Sequence, residues 1–304
     1  MANVIDPLFL LQTIQRESKI SFPMFGNFTI DPPSYFTVGG LDIYFYGVII
    51  GLGFLIAMFY CAHKAPKFGY TDEDVFDVVV WVIPAAIIGA RLYFCAFKLD
   101  YYLAHPSEII LGIRDGGLAI YGGVILSILV IWLVCRRKKK SFLAMLDLLC
   151  LGLLIGQIMG RWGNFMNREA FGTETEIFCR MGLTDPSGNT IYVHPTFLYE
   201  SLWNLIGFIF LVVFTNRGKR KYDGQNLLIY FFWYGIGRAW IEGLRTDSLY
   251  IGHTDIRVSQ VLSMAMVLVS GALLLINLRR EHPKEKLFVN QVKAKEEAAD
   301  IKEE

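Results

Sequence analysis

The stretch that decides the fold lies near the middle of the chain, at residues 146–169, and reads LDLLCLGLLIGQIMGRWGNFMNRE. The part from Leu146 to Phe165 is long and apolar enough to cross a bilayer as a helix, yet Arg161 lies within it. An arginine at the centre of a bilayer helix costs about 2.5–3.5 kcal/mol on insertion scales, so it usually faces a partner or a polar cavity. The stretch therefore predicts a membrane helix that carries part of a polar site.

Six further stretches of the chain share this apolar character. The chain has 304 residues, of which 54% are hydrophobic, and its mean hydropathy is +0.42. A soluble domain of this length seldom contains so many long apolar runs. We therefore predict an all-α, polytopic membrane protein with about seven transmembrane helices. The predicted spans are Ile43–Ala62, Val75–Phe97, Leu118–Cys135, Leu146–Phe165, Thr196–Thr215, Asn226–Leu244 and Val258–Leu278.

Lysine and arginine are concentrated in alternate connections between these spans. They follow the first, third and fifth spans, and they begin the tail after the last one. Because cytoplasmic loops carry the excess of these residues, the alternation places the N-terminus outside and the C-terminus in the cytoplasm. We divide the chain into an extracytoplasmic N-terminal segment (1–42), a seven-helix transmembrane domain (43–278) and a charged cytoplasmic tail (279–304).

With this orientation, the polar residues of the spans gather near the outer leaflet. Charged residues inside a membrane are usually functional, and several arginines at similar depth predict a buried site for an anion. The most abundant anion of a membrane is the phosphate of a phospholipid. The residues in question are Tyr46, Arg91, Tyr121, Arg161, Asn164, Glu169, His194, Glu200, Arg238, Glu242 and Arg245.

Helical spacing groups some of these side chains. Arg238, Glu242 and Arg245 share one helix face, so Glu242 can neutralise one arginine and leave the other for a ligand. The alternative is a buried ion-pair ladder that only joins helices. Arg161 and Asn164 also share a face. Arginine supplies paired donors for phosphate, and an asparagine amide can hydrogen-bond glycerol hydroxyls or ester carbonyls.

Three further features come from the same region of the sequence. Arg168 is predicted to lie on the helix face of the preceding arginine and asparagine. Gly152, Gly156 and Gly160 form a stripe of small residues, for which close packing between helices is the better account. His194 is either a general base at neutral pH or an interfacial histidine, and the sequence favours neither.

Four motifs occur together and in order along the chain. They are GGLAIYGG at 116–123, GRWGNFMNRE at 160–169, HPTFLYE at 194–200, and the triplet Arg238, Glu242 and Arg245. Together they resemble the prolipoprotein diacylglyceryl transferase family. The resemblance extends from about Tyr46 to Arg257, and the GRWGNF block is its most specific part.

The resemblance implies an enzyme of the bacterial plasma membrane. Such an enzyme moves the diacylglyceryl group of phosphatidylglycerol to the thiol of the lipobox cysteine in a prolipoprotein signal peptide, and it releases glycerol phosphate. Phosphatidylglycerol, the signal peptide and membrane lipids are therefore the expected partners, and nucleic acid is not. We expect no metal or other cofactor, because the sequence shows no ligand spacing for a metal.

The resemblance and the residue-level argument together imply roles for particular residues. The expected catalytic residues are Arg238, Arg161, Tyr121 and His194. Some family members have a histidine where this chain has Tyr121, and tyrosine, with an ordinary pKa near 10, is a poorer base at pH 7. We therefore expect Tyr121 to place the substrate. The expected binding residues for phosphatidylglycerol are Arg161, Asn164, Arg245, Glu242, Tyr46, Glu169 and Arg91.

The expected mechanism starts from the acceptor's own thiol, because thiolate is the reactive form. It attacks the glycerol carbon that bears the phosphate, and arginines stabilise the charge that grows on the leaving phosphate. A transporter or flippase for an anionic lipid or metabolite is the competing class. It would need access from both leaflets, whereas the polar cluster is one-sided. The chain has neither a Gly-x-Ser-x-Gly elbow nor a His-Glu-x-x-His motif, which disfavours an intramembrane hydrolase.

Overall fold

A computed structural model describes residues 17–26, 28–113, 116–251 and 254–303. Most of the described chain is helical. The helices are α1 (Phe45–Lys64), α2 (Asp72–Ala96), α3 (Leu99–Ala104), α4 (Glu108–Leu111), α5 (Ile120–Arg137), α6 (Phe142–Asn167), α7 (Thr196–Asn216), α8 (Gln225–Leu244), α9 (Val258–Leu278) and α10 (Phe288–Glu303).

Six of the described helices are long and apolar enough to cross a membrane, namely α1, α2, α5, α6, α7 and α9. The prediction of a polytopic helical membrane protein is thus confirmed. Helix α8 has 20 residues, but polar residues such as Gln225, Asn226, Arg238 and Glu242 lower its hydropathy. That α8 is a seventh span, and that the N-terminus lies outside, stay predictions, as do the three proposed segments of the chain.

Two small antiparallel sheets accompany the helices, and the sequence patterns did not indicate them. Strands β1 (Lys19–Ser21), β2 (Thr29–Ile30), β3 (Tyr35–Val38), β4 (Leu41–Tyr44), β5 (Met181–Thr184) and β6 (Thr190–Val193) are at most four residues long. The larger sheet has the order β2-β1-β5-β6, and β3 pairs with β4 in a hairpin. Strands this short hold too few residues for a period of two to stand out from the surrounding loops.

The chain forms two compact units. The first unit comprises Met1–Ala57, Cys150–Arg220 and Gln225–Glu281. It holds both sheets, and Ile20, Leu183 and Phe197 belong to a buried apolar cluster where the larger sheet meets the start of α7.

The end of α6 is tied to the N-terminal strands of this unit. Helix α6 stops at Asn167, and Arg168 adopts a left-handed conformation with φ of 50°. Its buried guanidinium donates to the Ser18 carbonyl at 2.8 Å and to Asp31 Oδ1 at 2.7 Å. The expectation that Arg168 shares a helix face with Arg161 is therefore wrong, because the helix ends one residue earlier.

The second unit comprises Met58–Leu149, Lys221–Gly224 and His282–Glu304. Its centre is the contact between α2 and α5, where a Cβ on Gly89 would lie 2.4 Å from the Gly122 carbonyl oxygen. Only glycine permits so close an approach of two backbones. At the start of α2, Thr71 and Asp74 form a capping box, which satisfies free N–H groups of the first turn.

The C-terminal tail begins with contacts to this second unit. The Phe288 backbone N–H donates to Asp223 Oδ2 at 3.1 Å, and the Phe288 ring lies 5.3 Å from the Tyr70 ring. A Cβ on Gly69 would lie 2.9 Å from the Val289 backbone. The tail therefore starts as a docked segment, although most of its later residues are exposed.

Candidate active site

Glu200 joins two of the predicted arginines in the first unit. It lies one turn into α7, and its side chain is 3% exposed. Its Oε1 accepts a hydrogen bond from Arg161 Nη2 at 2.6 Å, and its Oε2 accepts one from Arg238 Nη1 at 3.2 Å. A carboxylate removed from water needs such partners, because an unpaired buried charge is strongly destabilising. Helices α6, α7 and α8 thus each supply one member of a charged cluster.

Glu242 extends this cluster along α8. Its Oε2 lies 2.5 Å from Arg238 Nη2, four residues earlier in the helix. Two arginines and two carboxylates therefore alternate in the order Arg161, Glu200, Arg238, Glu242, which we call the charge chain. The arginine side chains stay 19% and 15% exposed, so they can still be reached by a small anion.

Arg245 does not compete for Glu242. It follows the last residue of α8, and its guanidinium donates two hydrogen bonds to Asp247, at 2.9 and 2.7 Å. Burial raises the pKa of Asp247, but the Arg245 guanidinium outweighs that effect and holds the pKa below its ordinary value. Arg257, which the sequence patterns did not single out, donates to the Glu242 carbonyl and so caps the end of α8.

A second group of predicted residues lies beside Arg161. Arg161 Nη1 donates to Asn164 Oδ1 at 3.0 Å, and Asn164 Nδ2 donates to Glu169 Oε1 at 2.8 Å. Tyr46 packs at the same place, since a Cβ on Gly163 would lie 2.8 Å from its ring. Helices α1 and α6 also approach closely further along, where a Cβ on Gly53 would meet the Met159 side chain at 2.7 Å.

Further polar contacts between α6 and α8 lie one or two turns away from Arg161 and Arg238. Gln157, one turn before Arg161, donates to the buried hydroxyl of Tyr230 at 2.8 Å. The Tyr230 ring stacks on Tyr234 with centroids 5.7 Å apart, and Tyr234 is one turn before Arg238. None of the motifs indicated Gln157, Tyr230 or Tyr234. Their signal was present, because Tyr230, Tyr234, Arg238 and Glu242 repeat at intervals of four.

Two tryptophans set how α7 lies against α8. The indole N–H of Trp203 donates to the Trp233 carbonyl, and that of Trp233 donates to the Trp203 carbonyl, both at 2.9 Å. The rings stack 4.4 Å apart. Each indole covers a glycine: a Cβ on Gly207 would lie 2.5 Å from Trp233, and one on Gly237 2.3 Å from Trp203. This tryptophan clamp lies next to the contact of Glu200 with Arg238, so it fixes the helix register there.

His194 precedes α7 and lies apart from the charge chain in its contacts. Its Nδ1 is 3.3 Å from the Tyr199 hydroxyl, which in turn is 3.6 Å from Cys179 Sγ. Burial lowers the pKa of His194 from its ordinary value. The side chain is therefore neutral at pH 7 and able to accept a proton, and its catalytic role stays a prediction.

Arg91 and Tyr121 belong to the second unit. Arg91 is almost fully buried, and its guanidinium donates to four backbone carbonyls, those of Glu108, Ile109, Gly116 and Gly117, at 2.6–3.1 Å. Gly117 has φ of 71°, and a Cβ there would lie 2.5 Å from Arg91 Nη1. Arg91 thus holds the backbone at Gly116 and Gly117, just ahead of α5. Tyr121 lies partly exposed in the first turn of that helix. Direct contact of either residue with lipid stays a prediction.

Among the described residues, no group of three or more His, Cys, Asp or Glu side chains could hold a metal ion. Gly156, in the stripe of small residues on α6, does not pack closely against another helix, because a Cβ there would meet no neighbour within 4 Å. Close packing between helices therefore does not explain Gly156, which corrects that expectation.

Taken together, the helices that are long and apolar enough to span a membrane and the charge chain define a polytopic membrane protein with clustered, partly exposed arginines. Residues 33–276 match the family model described as prolipoprotein diacylglyceryl transferase. The chain belongs to this family, so the resemblance seen in the motifs is confirmed.

Relatives from several bacteria carry the name phosphatidylglycerol–prolipoprotein diacylglyceryl transferase. One from Finegoldia magna is 42% identical over 247 residues, which cover 81% of this chain and 95% of the relative. One from Enterococcus faecalis is 41% identical over 267 residues, covering 86% and 94%. One from Bacillus cereus is 40% identical over 240 residues, covering 77% and 87%.

Proposed function

We propose that this protein transfers the diacylglyceryl group of phosphatidylglycerol to the thiol of the lipobox cysteine of a prolipoprotein. The family and its similar relatives support this transferase activity. The observation that carries it at the level of residues is the shared carboxylate of Glu200, which brings Arg161 and Arg238 together. Two guanidinium groups at one place suit the phosphate of a phospholipid headgroup.

The charge chain has a property that suits transfer rather than tight binding. Its two arginines are already balanced by two carboxylates, so an arriving phosphate diester competes with carboxylates for the same donors. A phosphate monoester, the leaving group, carries more negative charge than the diester. The negative charge on the phosphate grows as the reaction proceeds. Guanidinium donors that are held in place therefore stabilise the leaving phosphate more strongly than they stabilise the phosphate of the substrate.

The reaction forms one bond and breaks one. The acceptor thiolate attacks the glycerol carbon that bears the phosphate, a carbon–sulfur bond forms, and the carbon–oxygen bond to phosphate breaks. The electron pair of that bond leaves with glycerol phosphate, which Arg161 and Arg238 would hold. Asn164, Glu169 and Tyr46 lie beside Arg161 and would hold the polar part of the lipid.

The acceptor thiol must lose its proton before it attacks. We propose His194 as the proton acceptor, since burial keeps it neutral at pH 7. Nearby arginines favour the thiolate by lowering the pKa of the acceptor cysteine. Tyr121 and Arg91 of the second unit are proposed to place the substrate.

The proposed location is the bacterial plasma membrane, with the site opening towards the outer leaflet. Phosphatidylglycerol would enter from that leaflet, and the signal peptide would present its cysteine from the same side. The one-sided distribution of polar residues in the sequence supports this arrangement.

The test uses the purified protein in detergent with phosphatidylglycerol and a lipobox peptide. Mass spectrometry of the peptide should show the added mass of a diacylglyceryl group. Arg238→Ala should lower turnover by about 10²–10³, as the loss of a donor to a developing oxyanion does. The matched control is Arg180→Ala, since Arg180 contacts the Glu176 carbonyl and the Tyr192 ring in a loop.

Two results would contradict the proposal. Near-normal turnover of Arg238→Ala would remove this arginine from the mechanism. An unmodified peptide together with lipid moved between leaflets of a vesicle would favour a transporter or flippase of an anionic lipid or metabolite.

A further inference from the structure

The hairpin of β3 and β4 has one polar face and one apolar face. Opposed residues of an antiparallel pair share a face, and successive residues alternate between faces. The register pairs Tyr35 with Tyr44, Phe36 with Ile43, Thr37 with Asp42 and Val38 with Leu41. The apolar face therefore consists of Phe36, Val38, Leu41 and Ile43. The other face carries Tyr35, Tyr44, and a hydrogen bond of 2.6 Å from Thr37 to Asp42.

The apolar face is largely exposed in the described structure, most of all near the turn. Leu41 is 74% exposed and Val38 is 56% exposed. The turn is tight, with positive φ at Gly39 and Gly40, as two-residue hairpin turns of type I′ require. An isolated two-stranded hairpin is marginally stable in water and needs a surface against its apolar face. An exposed apolar face of this kind is typical of a surface that contacts another protein or a membrane.

The position of the hairpin identifies what covers it. Tyr44 is followed directly by Phe45, the first residue of the spanning helix α1. The ring of Phe36, on the apolar face, lies 5.2 Å from the ring of Phe45. The apolar face is thus continuous with the end of a membrane helix. Tyr44 directly precedes α1, and Tyr35 is its partner in the hairpin. Tyrosines are common at such a position, at the boundary between lipid and water.

We propose that this hairpin lies on the membrane, with Phe36, Val38, Leu41 and Ile43 inserted among the lipids of the leaflet in which α1 begins. Its base is joined to the site: Ser34 accepts the Phe45 N–H at 3.0 Å through its carbonyl, and its Oγ accepts a hydrogen bond from Arg168 Nη1 at 3.3 Å. Arg168 directly follows α6, the helix of Arg161. The hairpin therefore fixes the depth of the α6 end relative to the lipid headgroups.

The test places a fluorophore on each face in turn. Leu41→Cys and Thr37→Cys are labelled with an environment-sensitive dye in full-length protein that carries Cys179→Ser, because the other four cysteines are buried. The proteins are reconstituted in vesicles of phosphatidylcholine and phosphatidylglycerol that contain a lipid with a nitroxide near its headgroup. Quenching by this lipid should be several-fold stronger at Leu41 than at Thr37, and iodide in water should quench Thr37 more.

Each other outcome overturns the proposal. Equal quenching by iodide at both positions means that the hairpin stands in water. A Leu41 dye shielded from both lipid and iodide means that protein covers the face, either residues 1–16 or another chain. Equal quenching by lipid at both positions means that the hairpin is not one-sided. Thermal unfolding of each labelled protein is measured alongside, so that a misfolded variant is recognised. The readout is independent of lipid transfer, so its failure leaves the proposed function untouched.

Discussion

The arginines of the two units differ in what they bind, although the sequence placed all of them in apolar runs. Arg161 and Arg238 of the first unit are paired with the carboxylates of Glu200 and Glu242, and both remain partly exposed. Arg91 of the second unit is buried and donates to four backbone carbonyls. A carboxylate partner can be exchanged for another anion, whereas a backbone carbonyl stays where the fold holds it. Replaceable partners therefore make Arg161 and Arg238 the stronger candidates for contact with the phosphate of a ligand.

The largest expected effect separates the two kinds of arginine directly. Arg161→Lys keeps the charge but loses the planar pair of donors, so lipid transfer should fall by about 10²-fold. The thermal unfolding temperature should change little, because the lysine can still pair with Glu200. Transfer to a lipobox peptide and unfolding in detergent are measured on the same preparation. A variant that loses stability but keeps its turnover per folded molecule would show that Arg161 is structural.

A second contrast is between His194 of the first unit, the proposed proton acceptor, and Tyr121 of the second, which is proposed to place the substrate. With the pKa of His194 lowered by burial, the side chain protonates only below its ordinary value near 6.5. Transfer should therefore fall on the acid side of that value in the wild type. His194→Gln should lower the rate by about 10²-fold, as loss of a general base does, and should remove this acid limb. Tyr121→Phe is the control and should leave the limb in place.

An unchanged pH profile in His194→Gln would remove the histidine from the proton transfer. Loss of the limb in Tyr121→Phe instead would move that role to the second unit.

Arg91→Lys should lower stability more than turnover, whereas Arg161→Lys should lower turnover more than stability. Lysine cannot reach the four carbonyls at once, and each buried acceptor left unpaired costs about 1–3 kcal/mol. The unfolding temperature should fall by several degrees, and the loss of turnover per folded molecule should be smaller than in Arg161→Lys. The unfolding temperature is measured by intrinsic fluorescence, and the turnover is measured by lipidation of the peptide. A stable but inactive Arg91→Lys would mean that this arginine acts on the substrate.

The tryptophan clamp offers a test of geometry within the first unit alone. A Cβ on Gly237 would lie 2.3 Å from Trp203, so Gly237→Ala must shift the indole or the helix. Such overpacking costs about 1–3 kcal/mol, and because Arg238 is the next residue, kcat should fall more than the affinity for phosphatidylglycerol. The matched control is Gly156→Ala, since its Cβ would meet no neighbour within 4 Å. Equal effects of the two variants on kcat would show that the register of α7 and α8 does not matter to transfer.

Much of the fold was predictable because a membrane span is a long signal. Six of the predicted spans coincide with helices that can cross a bilayer, to within a few residues at their ends. The hairpin and the four-stranded sheet were not predictable, since their strands have two to four residues. The placement of Arg168 was wrong: it continues the helical spacing in the sequence, but tertiary contacts to Ser18 and Asp31 hold it outside the helix.

For the site, spacing predicted neighbours within a helix better than partners between helices. The pair Arg238 and Glu242 follows from their separation of four residues, and the structure contains it. Glu200 joins Arg161 to Arg238 only because α6, α7 and α8 pack in one particular register. No single stretch of sequence predicts that register. The spacing also left open which arginine Glu242 would neutralise: it pairs with Arg238, whereas Arg245 pairs with Asp247 just beyond the end of α8.

The smallest expected effect concerns this last pair at the edge of the first unit. Arg245 holds the pKa of Asp247 below its ordinary value near 3.9. A depressed pKa in the folded state means that the pair stabilises the protein above that value and that this contribution is lost as the pH falls through the folded pKa. Because Asp247 is half-exposed, Asp247→Asn should cost only about 0.2–1 kcal/mol at pH 7. The difference in unfolding temperature should start to shrink near the ordinary value and vanish only once the pH is below the folded-state pKa of Asp247. A difference that persists there would assign the effect to the shape of the turn rather than to charge.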